Sequence, residues 1–217
     1  MAMRINEFHY DNVGTDLGEF IEIRVTSGQD ISSTLVVLYS GAGGGAYNTI
    51  HLNGVGNTAG IGVTLSSSGG YDYYLITFPT NGVQNGPDGI ALVNSGAVQQ
   101  FISYEGSFTA TNGPASGLTS TNIGVSQSST TSNGSSVEYD DNIGAWTSVN
   151  DGMNTAGYAC FLAGTLIGTA QGPKPIETLA TGDLLITADG APTPLRFLWK
   201  QRVARAFAPE ERANPVL

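Results

Sequence analysis

Hydrophobic residues in the first two thirds of the chain recur at the spacing of strands. In "EFIEIRV", Phe20, Ile21, Ile23 and Val25 fall among Glu19, Glu22 and Arg24. "RINEFHYD" alternates Ile5, Glu7 and His9 with other residues, and "STLVVLYSG" and "YYLITFP" are runs of β-branched and aromatic residues. "GIALVN" and "VQQFISYEG" flank the turn "NSG", the pattern of a β-hairpin. Gly, Asn, Asp and Pro punctuate the chain between these runs, and no segment carries a helical period. Short strands at this spacing predict a β-sandwich. Residues 119–136, rich in Ser, Thr, Asn and Gly, predict a long surface loop between edge strands, since strand-like sequence follows.

Composition agrees with an all-β reading. The chain has 217 residues, 30 of them glycine, and 40% are hydrophobic, enough to build a core without disulfide staples. A single cysteine, Cys160, excludes an intrachain disulfide framework. No apolar run reaches the length of a membrane-spanning helix. The N-terminus "MAMRINEFHYD" lacks the apolar core of a signal peptide. Secretion or surface display would therefore need another route, with a cytoplasmic location as the alternative.

Charge divides the chain in two. Residues 1–159 hold two arginines, Arg4 and Arg24, no lysine, and thirteen acidic residues, a formal charge of −11. Residues 160–217 hold six basic and five acidic residues, a charge of +1. The expected boundary lies near Tyr158, giving a sandwich over 1–157 and a second region over 158–217. Two arginines cannot neutralise many phosphates, so direct nucleic-acid binding by the first region is not expected.

Several groups in the first region are candidates for chemistry. Asp11, Asn12, Asp16, Glu19 and Glu22 crowd one predicted hairpin, and clustered oxygen ligands of this kind can hold Ca²⁺. Their spacing is not that of an EF-hand loop. The competing reading makes the Asx residues turn formers and sets the glutamates facing water on a strand. "EYDDNIG" (138–144) poses the same question. "GAGGG" (41–45) lacks the Lys and Ser/Thr of a phosphate loop and reads as a turn. His9 and His51, the only histidines, read as packed or surface residues, and Asn133 heads an Asn-Gly-Ser sequon. No Ser/His/Asp or paired-carboxylate constellation suggests a hydrolase.

The motifs "INEFHYDNVGTDLGEFIEI" (5–23), "LVVLYSG" (35–41), "GPDGIALVN" (86–94) and "FISYEGSFTATNGPASGLTSTNIGV" (101–125) resemble the bacterial lamin tail domain over residues 3–155. That resemblance implies an immunoglobulin-like sandwich. It also implies an accessory binding or positioning role toward an unidentified protein or surface ligand, with no catalytic set.

A lone cysteine is ordinarily a small buried hydrophobe. Its neighbourhood changes that reading. "CFLAGTLIGTAQGPKPIETLATGDLLITADGAPTPLRFLWKQRV" resembles the start of a Hint (hedgehog/intein) self-processing domain over residues 160–203. The carrying features are Cys160 at the opening, "AGTLI" as a first strand, a Gly-Asp turn at Asp183, and "LLIT" as the next strand. The resemblance covers less than half of a complete Hint domain.

The resemblance implies that the Cys160 thiol attacks the Ala159 carbonyl to form a thioester. A thiolate is both a strong nucleophile and a competent leaving group. Thr165 is a candidate to assist, and Asp183 reads as structural. The family's Thr-x-x-His histidine has no counterpart, because no histidine follows His51. The tail "LRFLWKQRVARAFAPEERANPVL", with Lys200, Arg202 and Arg205, reads as a strand with a solvated basic face, and "NPVL" as a strand cut short.

The expected fold class is all-β, an immunoglobulin-like β-sandwich followed by a partial Hint-type β domain. Self-processing is the most activity the sequence supports, with no cofactor other than possible Ca²⁺ and no turnover enzyme expected. The alternative is a structural or adhesive surface protein whose Hint piece is degenerate.

Overall fold

The computed structural model describes residues 2–149, 166–187 and 190–195. The chain divides into two compact units, Met1–Tyr158 and Ala159–Leu217.

The first unit contains eleven strands among its described residues: β1 (Met3–His9), β2 (Phe20–Thr26), β3 (Thr34–Ser40), β4 (Ala46–His51), β5 (Gly62–Ser68), β6 (Tyr71–Thr77), β7 (Asp88–Asn94), β8 (Ala97–Tyr104), β9 (Thr121–Asn122), β10 (Ser136–Asp140) and β11 (Ala145–Val149). They form a six-stranded sheet in the order β11-β10-β1-β2-β6-β5 and a five-stranded sheet in the order β4-β3-β7-β8-β9. Every pair is antiparallel except β8–β9, which is parallel.

The alternation of side chains explains how the sheets pack. Ile5 and Phe8 of β1 and Ile21 and Ile23 of β2 turn one face of the first sheet inward. They meet Val36 and Leu38 of β3 and Ile90 and Leu92 of β7, all eight fully buried. This shared core makes the unit a two-sheet β-sandwich. A β-bulge between Ile5 and Glu7 sets the phase of β1, so that Phe8 rather than Glu7 faces the core.

The runs "TLVVLYS" and "DGIALVN" are continuously apolar because β3 and β7 are covered on both faces. Val37, Tyr39, Ala91, Val93 and Phe101 form a second cluster on the far side of the five-stranded sheet. Phe108, Ala110 and Ala115, from the segment after β8, cap it. The Ala115 N–H donates to the Tyr39 hydroxyl at 3.0 Å, tying that cover down.

The predicted β7–β8 hairpin is present. Its central residues Ser95 and Gly96 have φ of 50° and 76°, the paired positive values that a type I′ turn requires. "GAGGG" is the turn from β3 into β4. At Gly41 a Cβ would lie 2.0 Å from the Pro87 carbonyl oxygen, so only glycine fits.

Residues 119–136 differ from the expected surface loop. Thr121 and Asn122 join the five-stranded sheet as β9, and Gln127 is 5% exposed. The segment carries the chain from one sheet to the other, and its middle is pinned to β1.

In the second unit, β12 (Leu166–Ile167) pairs with β13 (Lys174–Pro175), and β14 (Leu184–Ile186) pairs with β15 (Pro192–Pro194). A single 3₁₀ turn, Ile176–Thr178, follows β13. An isolated bridge between Thr169 and Leu185 joins the two hairpins. β12 lies within the anticipated "AGTLI" and β14 within "LLIT", with the Gly-Asp turn before β14; β13 and the 3₁₀ turn between them were not anticipated as such.

Candidate functional site

Ala159, Cys160 and Thr165, the residues expected to carry self-processing, lie outside the described residues. What the structure describes on the C-terminal side is the scaffold that begins at Leu166. There the Asp183 carboxylate accepts the Ala180 N–H at 3.0 Å and pairs with Lys174 Nζ at 3.2 Å. These contacts, the amide first, hold its pKa below the ordinary aspartate value. The Asp183 N–H donates to Ala180 O, and the Leu195 N–H donates to Asp183 O. Both Asp183 side-chain oxygens are used in closing a turn, which is a structural role.

Of the five proposed calcium ligands, Asp11, Asn12 and Asp16 interact with one another in the β1–β2 connection, while Glu19 and Glu22 turn to other partners. Asp16 accepts the Asn12 N–H at 3.1 Å, and its charge acts on Asp11. Asn12 Nδ2 donates to Leu17 O at 2.9 Å and lies 2.9 Å from His9 Nε2. Glu19 reaches across to the β6–β7 connection, where its carboxylate accepts the Gly82 N–H at 2.6 Å and the Val83 N–H at 3.1 Å. Glu22 accepts from Asn6 Nδ2 at 2.8 Å. Among the described residues, no group of three or more acidic, histidine or cysteine side chains is arranged to hold a metal ion.

All five residues are nevertheless buried, so Glu19 and Glu22 do not face water as a simple strand pattern would have them. Burial is costly for carboxylates, and their pKa values record it. Burial pushes Glu19 up to about 7 despite its two amide donors. Asp88, whose carboxylate accepts the Gly41 N–H at 2.8 Å, is pushed by burial to about 6, with the Glu105 charge adding to the effect. Asp11 is raised by burial, then by the charges of Asp16 and Glu105. Glu138 rises to about 7 through burial, with Glu7, Asp140 and Glu22 adding and Arg4 opposing.

The second acidic motif, 138–144, is occupied differently. Arg4 and Arg24 both form ion pairs with Asp141. Each guanidinium also lies 4.4 Å from an aromatic ring centroid, Arg4 over Tyr139 and Arg24 over Tyr71. The two arginines of the sandwich are therefore committed within it, which leaves no described basic surface for phosphate.

The residue that pattern reading missed is Gln127. Its Oε1 accepts the Tyr10 N–H at 2.8 Å and the Asp11 N–H at 3.4 Å, and its Nε2 lies 2.9 Å from His9 Nδ1. The Tyr10 hydroxyl in turn accepts the Gln127 N–H at 2.7 Å and bonds Glu105 Oε1 at 2.9 Å. His9 is fully buried, and burial holds its pKa below the usual value. It is a packed structural histidine, as expected. His51 is exposed on β4.

A family model described as the Hint domain matches residues 159–217, which supports a Hint-type module over the second unit. No curated protein and no solved structure matches the chain. Among the described residues no helix is long and apolar enough to cross a membrane.

Proposed function

We propose that the chain is a lamin-tail-like binding or positioning sandwich joined to a Hint autoprocessing segment, and that Ala159–Cys160 is the bond the segment is built to cleave. The observation that carries this reading is a coincidence of boundaries. The Hint match begins at Ala159, the compact units divide between Tyr158 and Ala159, and Cys160 stands one residue further on. Cys160, the second residue after that division, is placed by the sequence next to the peptide bond it would attack.

The chemistry balances as an N-to-S acyl shift. The Cys160 thiol loses its proton, and its sulfur attacks the Ala159 carbonyl. The C–N bond breaks, the Cys160 nitrogen takes a proton, and the Ala159 acyl group is left as a thioester. Water or another nucleophile then releases the sandwich as cargo. The leaving nitrogen needs an acid, and the developing oxyanion needs donors. The sequence after His51 offers no histidine for that task. General acid–base help is worth about 10²–10⁴ in rate, so these 217 residues alone stay intact over ordinary incubations.

The test is a pair of proteins followed by intact mass. The 217-residue chain should keep its full mass. A chain extended with the Thr-x-x-His segment of a Hint domain should lose mass by a cut between Ala159 and Cys160, and Cys160→Ala should abolish the cut. An uncut extended chain would return Cys160 to the role of an ordinary apolar residue.

A further inference from the structure

We propose that β5 is a docking edge, and that its occupant is the β5 strand of a second copy of this chain, paired antiparallel about Leu65.

β5 is the outermost strand of the six-stranded sheet. It pairs with β6 over seven unbroken rungs, from Gly62–Thr77 to Ser68–Tyr71. No described residue outside β6 hydrogen-bonds its backbone, so its second row of N–H and C=O groups has no partner among the described residues. An edge strand of this kind is a template for another strand, and proteins usually blunt it with charge, proline, a bulge or a cover. The sequence "GVTLSSS" contains no charge and no proline, and the β5–β6 register has no irregularity. The contrast is β4, the edge of the other sheet, whose pairing with β3 shifts register between Leu38 and Tyr39.

The side chains favour a second copy over an unrelated strand. Full antiparallel overlap of Gly62–Ser68 with itself places Leu65 against Leu65, Thr64 against Ser66, Val63 against Ser67 and Gly62 against Ser68. Leucine, 57% exposed in the single chain, covers leucine. On the opposite face threonine meets serine, a cross-strand pair that can hydrogen-bond. The chain carries a formal charge of −10, yet none of it lies on β5, so two copies approach here without opposing like charges on the paired strands. The nearest acid on β6, Asp72, is engaged by the Ser27 and Ser67 hydroxyls. Seven residues per side fall short of the roughly 800 Å² per partner of a standard interface, so the pairing is a weak one.

The experiment uses the whole chain with Cys160→Ala, so that no native thiol interferes. In sedimentation velocity from about 5 μM to about 1 mM, the weight-average coefficient should climb from the monomer toward the dimer value. Leu65→Lys, a change at an exposed site that sets two ammonium groups face to face, should hold it at the monomer value. A single cysteine then reads the register. At position 65 the paired Cβ atoms are about 5 Å apart, so Leu65→Cys should give a disulfide-linked dimer under mild oxidation. Ser67→Cys places like positions about 13 Å apart along the strands, and should give at least tenfold less.

A monomer at every concentration would overturn the proposal. So would association that Leu65→Lys leaves intact, which would place the contact elsewhere, or cross-linking at 67 as efficient as at 65, which would place it in another register.

Discussion

Replacing Gln127 by alanine tests how the sandwich is closed. The side chain stands where the cross-sheet connection meets β1 and serves two buried partners at once. Removing it strands the Tyr10 N–H, now bonded at 2.8 Å, and His9 Nδ1, now 2.9 Å from the amide nitrogen. Each buried polar group left unmet costs about 1–3 kcal/mol. Gln127 also borders a hydroxyl-lined cleft of about 360 Å³ with Thr131, Ser135 and Ser136. Water can enter there and recover part of the loss, so the lower half of the range applies, about 2–4 kcal/mol in all. For a unit of this size that is a fall in Tm of about 4–16 °C. Urea and thermal melts of the full chain measure it, with Ser126→Ala, on an exposed neighbour, as the control expected within about 0.5 kcal/mol of the parent. A Gln127→Ala protein that melts within that same margin would refute the reasoning and return residues 119–136 to a plain surface loop.

Stability should also fall as pH rises from about 5 to about 8. Glu19 and Glu138 are raised to about 7 and Asp88 to about 6, so the folded state binds protons that the unfolded state has already released. Each such group contributes stability that is present below its unfolded pKa and is lost through the folded one, with a slope of at most about 1.4 kcal/mol per pH unit. Urea titrations across that range measure the slope, and Glu138→Gln should flatten it; stability that rises with pH over the same window would contradict the burial argument. Gly41→Ala should destabilise by about 1–3 kcal/mol, because its Cβ would overlap the Pro87 carbonyl. Gly43→Ala, with nothing within 4 Å, should stay within about 0.5 kcal/mol. Millimolar Ca²⁺ should leave Tm unchanged, since Glu19 and Glu22 are already held by Gly82, Val83 and Asn6; a rise that Asp11→Ala or Asp16→Ala removes would support the calcium reading instead.

Strands whose burial follows from their own pattern were legible in the sequence. β2, β3, β6 and the β7–β8 hairpin stand where alternation and turn chemistry put them. β12 and β14 were legible through family resemblance rather than periodicity, because strands of two or three residues carry no period. β4 and β5 were not legible, since an edge strand buries too little to need an apolar row. Nor was the burial of Glu19 or Gln127. Their partners lie 63 and 117 residues away along the chain, at Gly82 and Tyr10, and only the folded topology brings them together. The local pattern of "EFIEIRV" places Glu22 opposite the core row of Ile21, Ile23 and Val25, but it says nothing about what covers that face.

The account's central claim is that Cys160 takes up the Ala159 acyl group. Trapping measures it most directly. A chain extended with the Thr-x-x-His segment is treated with hydroxylamine, and the N-terminal fragment is weighed. The account predicts a fragment ending at Ala159 and carrying a C-terminal hydroxamate, absent in Cys160→Ala. An uncleaved chain, a fragment ending at another residue, or the same fragment from Cys160→Ala would contradict it.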